Sequence, residues 1–279
     1  MAKSLSEHLT VSGPIKLADH DSRATTGFDG DKDDSAKSMT LLAEDLSEQQ
    51  ERLFANGQAE TGSSRVLLLL QGMDTSGKGG IIRHAAGLVD PQGLSIYSFK
   101  KPTPEELEQD FLWRIEQRLP APGKIGVFDR SQYEDVLIAR VRQLAEPAEL
   151  ERRYDAINAF EKRFTDSGGV LIKCFLHITS DDQKERLAAR LDDPTKHWKY
   201  NPGDIDERML WDDYQRAYEI ALERCSTEWA PWHLIPSGRK WYRNWAVAAL
   251  LAEKLRGLNL EWPAADFDVA TEKARLAGT

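Results

Sequence analysis

The sequence predicts a three-layer α/β fold with a largely parallel sheet, and two observations support this fold class. Strand-like and helix-like segments alternate along most of the 279 residues, as they do when helices cover both faces of a parallel sheet. The run RVLLLLQG at 65–72 is continuously apolar at its centre, which is typical of a strand buried on both faces. It leads directly into the glycine-rich stretch QGMDTSGKGG at 71–80.

The segments before this strand predict an arm and a helix. Residues 1–37 are rich in Asp, Ser, Gly and Lys and show little apolar periodicity, so we expect a weakly ordered arm. Residues 38–56 place leucines at helical spacing, which predicts an amphipathic helix. We therefore expect one domain over 38–262, followed by a C-terminal tail over 263–279.

The segments after the glycine-rich stretch alternate as the fold class requires. Some carry clear start signals: TPEELEQDFLWRIEQRL has a threonine cap followed by proline at the first helical position. We predict strands over LSIYSF (94–99), GKIGVFD (123–129), GVLIKCFLHI (169–178) and WHLIP (232–236). We predict helices over 78–89, 103–119, 130–144, 147–165, 180–191, 205–225 and 240–258.

Composition excludes several classes of partner. Lys and Arg number 37 against 46 Asp and Glu, a formal charge of −9, so the overall field repels nucleic acid and anionic membranes. An anionic substrate then needs a local basic pocket. Two cysteines without metal-site spacing suit the reducing cytosol, and we expect neither a membrane span nor a secretory signal.

The glycine-rich stretch resembles a phosphate-binding loop at all but one position. Gly72, Gly77 and Lys78 fit the pattern G-x-x-x-x-G-K-[ST], but Gly79 stands where the hydroxyl residue that holds magnesium is expected. A loop between a buried strand and a helix directs backbone N–H groups at phosphate oxygens. We expect phosphate binding by Lys78 and by loop residues Gly72, Thr75, Ser76, Gly77 and Gly79.

Two carboxylates are candidates for the metal site that Gly79 cannot provide. Asp74 lies inside the loop, where a bare carboxylate beside phosphate costs several kcal/mol unless a divalent cation lies between them. Asp129 ends a predicted strand, the edge at which parallel sheets bind ligands and P-loop enzymes keep an acidic residue. The alternative for Asp74 is an Asx turn that stabilises the loop.

Basic residues near these carboxylates are candidates for phosphate contacts. Arg130 follows Asp129 directly and can neutralise charge in a transition state; the alternative is an ion pair with Asp135 or Glu134. Lys100 lies at another strand end, and together with Arg83 it predicts a basic track unless these side chains face solvent.

A charged segment between two predicted helices suggests a lid. Residues 186–208 carry Arg186, Arg190, Lys196, Lys199 and Arg208. A basic lid over about 190–208 would close on the phosphates and exclude water, whereas the ordinary alternative is a solvated surface.

Four ordered segments together resemble the polyphosphate kinase 2 family. They are GMDTSGKGGIIRHAAGLVDPQG, FKKPTPEELEQDFLWRIEQRLPAPGKIGVFDRSQYEDVL, RLDDPTKHWKYNPGDIDERMLWDDYQRAYE and WHLIPSGRKWYRNW, and the likeness covers roughly 38–260. The resemblance implies a P-loop kinase with a thymidylate-kinase-like core and helical lid. Such an enzyme moves the terminal phosphate of inorganic polyphosphate reversibly to a nucleotide.

The resemblance also implies roles for individual residues. Asp74 and Asp129 would hold Mg²⁺, with Mn²⁺ as an alternative ion, while Lys78, Arg130 and Arg190 would contact phosphates. Arg130 and Lys199 are the candidates for nucleotide binding. The implied substrates are polyphosphate with ADP/ATP, AMP or GDP, and the implied assembly is a homo-oligomer, either dimer or tetramer.

Two other functions stay open from the residues alone. An ATP-dependent nucleoside monophosphate kinase shares the core and lid, although its loop normally ends in Lys-Ser or Lys-Thr. A non-catalytic regulator that binds nucleotide or polyphosphate would tolerate loss of a metal carboxylate, whereas both are present here. Within the family, DDPTKHWKYNPGD with IGVFDRS resembles most the members that use both mono- and diphosphate acceptors, and the preferred acceptor stays open.

Overall fold

A parallel sheet of five strands forms the centre of the molecule. The structure is a computed structural model that describes residues 3–59 and 62–279. In this part of the chain the strand order is β2-β3-β1-β4-β5, and every pairing between neighbours is parallel. The strands are β1 (Arg65–Gln71), β2 (Leu94–Ser98), β3 (Ile125–Asp129), β4 (Gly169–His177) and β5 (Trp232–Pro236).

Helices surround the sheet. They are α1 (Leu5–Leu9), α2 (Lys32–Gln58), α3 (Lys78–His84), α4 (Pro104–Leu107), α5 (Trp113–Glu116), α6 (Glu134–Val141), α7 (Pro147–Asp166), α8 (Ser180–Leu191), α9 (Gly203–Arg208), α10 (Trp211–Cys225), α11 (Lys240–Arg256) and α12 (Val269–Ala277). Among the described residues, no helix is both long and apolar enough to cross a membrane.

The central strand explains why the core has two halves. Leu67 and Leu69 of β1 pack into one apolar cluster with helices α6, α7 and α10. Val66, Leu68 and Leu70 face the other side, with α2, α3 and α11. Side chains of a strand alternate between faces, so a continuous apolar run requires a cover on both. The predicted three-layer α/β class with a parallel sheet is confirmed.

The N-terminal segment differs from the weakly ordered arm expected over 1–37. Leu9, Val11 and Leu17 are buried, and the N–H of Val11 donates to the carbonyl of Trp232 at 2.8 Å, along the edge of β5. Helix α2 begins at Lys32, where the side chain of Asp31 caps it. A few scattered apolar residues and an exposed strand edge suffice for this packing, and neither leaves a periodic pattern in the sequence. The exact boundaries of arm, domain and tail stay a prediction.

Several predicted helices are divided or shortened, among them the helix predicted over 78–89, which ends at His84. The segment 103–119 forms α4 and α5, because the carboxylate of Asp110 accepts the N–H of Leu112 and breaks the run. Leu107 of α4 is 69% exposed, whereas Ile115 of α5 is buried. The predicted helix over 205–225 is interrupted between α9 and α10, and α6 begins at Glu134 rather than at 130.

Candidate active site

The loop after β1 has the backbone that its glycines predict. Gly72 and Gly77 have φ of 148° and 113°, values that favour glycine. The side chain of Lys78 is buried and folds back, so that Nζ donates to the carbonyl of Gly72 at 2.9 Å. The hydroxyls of Thr75 and Ser76 are buried and have no hydrogen-bond partner in the part of the chain that the structure describes. Such unpaired polar atoms are rare in a folded chain and indicate a place for a ligand.

Asp74 and Arg130 meet at the ends of neighbouring strands. Leu70 lies opposite Asp129 in the register of β1 and β3, and the N–H of Arg130 donates to the carbonyl of Leu70 at 3.1 Å. The guanidinium of Arg130 then reaches Asp74 Oδ1 at 2.8 Å and lies 3.7 Å from Glu134. Arg130 has φ of 67°, which ends the strand sharply at this edge.

The electrostatics of the pair keep both groups charged. Burial alone would raise the pKa of Asp74, but the charges of Lys78, Arg130 and Arg190 outweigh it and lower the pKa below its usual value. Burial also works against the charged form of Arg130, yet Glu134 and Asp74 raise its pKa further. Asp74 is therefore an ionised carboxylate among cations at neutral pH.

A cleft of about 260 Å³ opens beside this pair. Sequence reasoning missed Asp204 and treated Glu134 only as an ion-pair partner, although both line the cleft. Burial raises the pKa of Glu134, and burial together with Asp74 raises that of Asp204. The other lining residues are Gly72, Met73, Asp74, Arg130, Leu137, Ile138, Asn201, Gly203, Glu207, Tyr214 and Tyr218.

The segment 190–208, which we predicted to be a lid, lines one end of this cleft. Its lining residues are Asn201, Gly203, Asp204 and Glu207. Arg190 at the end of α8 donates to the carbonyl of Lys199 at 3.0 Å and to Asp204 Oδ2 at 3.4 Å, which joins α8 to the lid. The side chain of Lys199 is exposed, with Nζ 4.9 Å from the ring centroid of Trp198.

Four predicted basic residues lie elsewhere. Arg83 and Lys100 are exposed and do not belong to the cleft lining described above. Arg208 donates to Ser180 and Gln183 and thus holds α9 on α8. Arg186 is not on the lid, because its Nη1 donates to the carbonyl of Thr75 at 2.9 Å. The sequence could not separate these cases, since a charged helix face looks alike whether it meets solvent or a loop.

Comparison with known proteins identifies the family. A family model described as "Polyphosphate kinase 2 (PPK2)" matches residues 29–261, a longer stretch than the 38–260 on which the resemblance was based. The chain belongs to the polyphosphate kinase 2 family. Members of this family transfer phosphate between polyphosphate and nucleotides, so the protein is a phosphotransferase of the polyphosphate kinase type.

Individual relatives agree with this assignment. The chain is 42% identical to an AMP/ADP-polyphosphate phosphotransferase of Meiothermus ruber, over 94% of this chain and 95% of the relative. It is 39% identical to an ADP-polyphosphate phosphotransferase of Rhodopseudomonas palustris, over 81% and 80%. Its structure superposes on the crystal structure of polyphosphate kinase 2 from Arthrobacter aurescens TC1 with a TM-score of 0.97 and 53% identity, covering 100% of this chain and 98% of that one.

Polyphosphate kinases of this family generally need a divalent metal, and the residues at the loop fit one. Asp74 follows β1 and lines the cleft, whereas Asp129 ends the neighbouring strand β3 and is not among the lining residues described above. Carboxylate oxygens are the ligand type that Mg²⁺ prefers, and these two side chains would supply them. Within 3–59 and 62–279, no group of three or more His, Cys, Asp or Glu side chains forms a complete metal cage. Two carboxylates suffice, because Mg²⁺ usually takes its remaining ligands from water and substrate phosphates.

A further residue of the polyphosphate kinase site was missed from the sequence. Arg243 of α11 is buried, and its Nη1 donates to the carbonyl of Ser76 at 3.1 Å. The one available signal was its presence in WHLIPSGRKWYRNW, a segment that supports the family resemblance. Nothing in that segment indicates contact with a loop about 165 positions earlier in the chain, as the separation of the bonded pair shows.

Proposed function

We propose that this cleft transfers the terminal phosphate of inorganic polyphosphate to a nucleoside mono- or diphosphate, with Mg²⁺ or Mn²⁺ held by Asp74 and Asp129. The observation that carries the proposal is the contact of Asp74 with Arg130 at the phosphate loop. A carboxylate at an anion-binding loop is unfavourable unless a cation mediates between it and the phosphates. The loop therefore suits metal-bound phosphate chains.

The proposed mechanism is an in-line transfer that depends on position and charge. Lys78 and Arg130 hold the transferred phosphate, and Arg190 adds positive charge near it from the start of the lid segment. Asp74 and Asp129 would hold the metal, which would supply positive charge to offset that of the phosphates. A nucleotide phosphate is already ionised at neutral pH, so no strong base is required. Asp129 orients the acceptor beside its strand end.

The acceptors we propose are ADP or GDP and also AMP. The support is the similarity to the Meiothermus ruber relative, whose name includes both AMP and ADP. Lys199 is proposed to contact the nucleotide, since its side chain on the lid segment is exposed and available to a ligand. Arg83 and Lys100 are proposed only as outer contacts for a long polyphosphate chain.

A reaction without ATP tests the proposal. The purified chain is incubated with Mg²⁺, polyphosphate and either AMP or ADP, and the ADP and ATP formed are quantified. We expect ATP from ADP and ADP from AMP. A parallel reaction with ATP and AMP but no polyphosphate tests the nucleoside monophosphate kinase alternative. Turnover only in that reaction, or binding without turnover in any, would overturn the proposal.

Other expectations stay predictions. A dimer or tetramer, a cytosolic location and the absence of nucleic-acid or membrane partners rest on the family resemblance and on composition. Size-exclusion chromatography with light scattering would measure the oligomeric state.

A further inference from the structure

Two arginines that do not belong to the cleft lining described above hold the phosphate loop by its carbonyls. Arg243 is 4% exposed and donates through Nη1 to the carbonyl of Ser76 at 3.1 Å. Arg186 donates through Nη1 to the carbonyl of Thr75 at 2.9 Å and through Nη2 to that of Ser237 at 2.6 Å. Two successive loop carbonyls are thus fixed by guanidinium groups from α8 and α11.

The glycines of the loop make room for one of these groups. A Cβ atom at Gly77 would lie 1.7 Å from Arg243 Nη1, and one at Gly80 would lie 2.5 Å from Nη2. A Cβ at Gly79 would meet nothing within 4 Å. In the stretch 77–80, the first and last glycines, Gly77 and Gly80, therefore leave room for the guanidinium of Arg243. Gly79 is not needed for this contact.

The hydrogen bonds of Arg243 within residues 3–59 and 62–279 go to neutral oxygen atoms. Its Nε and Nη2 donate to the amide oxygen of Asn244 at 3.2 and 2.9 Å. Among the described residues it has no carboxylate partner within 4.0 Å, and burial, together with the like charge of Arg186, lowers its pKa to about 10. It is still a cation at neutral pH. A buried cation without an anion is unfavourable, and the group that could offset it is an anion in the loop.

We propose that Arg243, assisted by Arg186, is a positioning residue for polyphosphate. It fixes the carbonyl of Ser76 away from the phosphates and keeps a positive field beneath the bound chain. The inference rests on the proposed function, because it assumes that polyphosphate occupies this loop. It predicts a selective effect on polyphosphate, since the nucleotide would lie on the side of Arg130 and Glu134.

Kinetics of Arg243→Met and Arg243→Lys test this role. We expect Arg243→Met to raise the KM for polyphosphate at least 10-fold and the KM for ADP less than 2-fold, while Arg243→Lys, which keeps the charge, recovers part of the loss. The control is Arg256→Met, which removes an exposed cation paired with Asp45 at the far end of the same helix. It should leave both KM values within 2-fold. Equal changes in both KM values for Arg243→Met, or an unchanged KM for polyphosphate, would overturn the proposal.

A double-mutant cycle separates positioning from a merely structural role. Gly80→Ala adds a methyl group against Nη2, and we expect it to raise the KM for polyphosphate about 3-fold or more. In the Arg243→Met background the same methyl group should add almost nothing, because the group it displaces is gone. Additive effects would contradict the mechanism. If Arg243→Met does not fold, Gly80→Ala and Arg243→Lys provide the comparison.

Failure of the inference is distinguishable from failure of the function. If the wild-type chain makes ATP from polyphosphate and ADP, the kinetic tests decide the role of Arg243 alone. If it makes none, thermal stabilisation by polyphosphate without nucleotide is measured instead. A shift in wild type that falls by more than half in Arg243→Met supports the positioning role, whereas equal shifts, or none in wild type, refute it.

Discussion

Gly79 has no steric reason to be glycine. A side chain there would begin in open space, so the hydroxyl of an ordinary phosphate loop is absent although it would fit. Asp74 lies five positions earlier in the same loop, and it is held among cations. The loop thus has a charged carboxylate at Asp74 and no hydroxyl at position 79, and we expect that carboxylate to suit a divalent metal bound together with phosphate.

Loss of either central cation should reduce turnover strongly. We expect Lys78→Ala and Arg130→Ala each to lower kcat with polyphosphate and ADP by about 10²-fold or more, as for other groups that stabilise developing charge. Steady-state kinetics at saturating substrates measure the effect. Arg275→Ala, on the exposed helix α12, is the matched control, and a kcat near the wild-type value for Lys78→Ala or Arg130→Ala would contradict their assigned roles.

At the scale of residues, the sequence predicted the features that depend on neighbouring positions in the chain. The loop, Asp74, and the Asp129–Arg130 pair lie at strand ends, where the parallel fold concentrates ligands. Arg243 and Asp204 could not be found this way, because contacts between distant segments depend on how whole helices pack. Arg186 lies just before the predicted lid, and its contact with the loop could not be found for the same reason.

Among the elements, β5 depends on the N-terminal segment for part of its cover. His233 of β5 is fully buried, with Nδ1 3.1 Å from the carbonyl of Lys173 and Nε2 3.0 Å from Ser6 Oγ. Ser6 Oγ also accepts from Lys254 at 2.8 Å. Because Nδ1 faces a carbonyl, it carries the proton, and Nε2 accepts from Ser6. Burial lowers the pKa of His233 to about 4.

This histidine predicts a loss of stability in mild acid. The unfolded chain takes up a proton near pH 6.5 while the folded chain does so near pH 4, so stability present above pH 6.5 falls as the pH drops towards 4, by up to about 3 kcal/mol. Urea unfolding between pH 7 and 4 measures it. His233→Gln should show a shallower fall than wild type, whereas the exposed His84→Gln should retain the full fall. Parallel curves for His233→Gln and wild type would exclude this role.

Strands were easier to predict from the sequence than helix ends. Strands β1, β4 and β5 follow from short apolar runs, and their burial confirms the pattern, whereas β2 at the sheet edge is only partly buried. Helix ends depend on single side chains: Asp110 caps the N–H of Leu112 and divides one predicted helix, and the positive φ of Arg130 delays the start of α6. Each of these features depends on a single residue, so the apolar pattern of the surrounding segment does not reveal it.

For the molecule as a whole, the core contains a fully buried ion pair. Lys173 Nζ of β4 lies 2.5 Å from Glu161 of α7, and both side chains have no exposed surface. Glu161 also accepts from Gln132 and from the hydroxyl of Tyr133, the residues that follow Arg130. This ion pair and its hydrogen bonds thus connect β4 to the two residues that precede α6.

Removing one charge of this pair should lower the free energy of unfolding far more than replacing both charges. We expect Lys173→Met to lower the free energy of unfolding by about 3–5 kcal/mol, since it leaves a buried carboxylate without its cation. Lys173→Met with Glu161→Gln should recover more than half of that loss, because the amide oxygen still accepts from Tyr133. Urea unfolding of the wild type, both single variants and the double variant measures the coupling. Additive losses would show that the two charges do not depend on each other.

The net charge of −9 gives the whole molecule a field that repels polyanions, so binding of polyphosphate must depend on local cations and on the metal. Removing the metal should therefore abolish transfer. The carboxylate at the loop is the group on which this dependence should rest, because Lys78 and Arg130 hold its pKa low and keep it ionised.

The most direct test is the metal dependence of Asp74→Asn. ATP formation from polyphosphate and ADP is titrated with Mg²⁺ for wild type, Asp74→Asn and the control Asp166→Asn, which changes an exposed carboxylate at the end of α7. We predict that Asp74→Asn raises the Mg²⁺ concentration for half-maximal rate at least 10-fold, while Asp166→Asn leaves it within 2-fold. The same half-maximal Mg²⁺ concentration in Asp74→Asn and wild type would contradict the account.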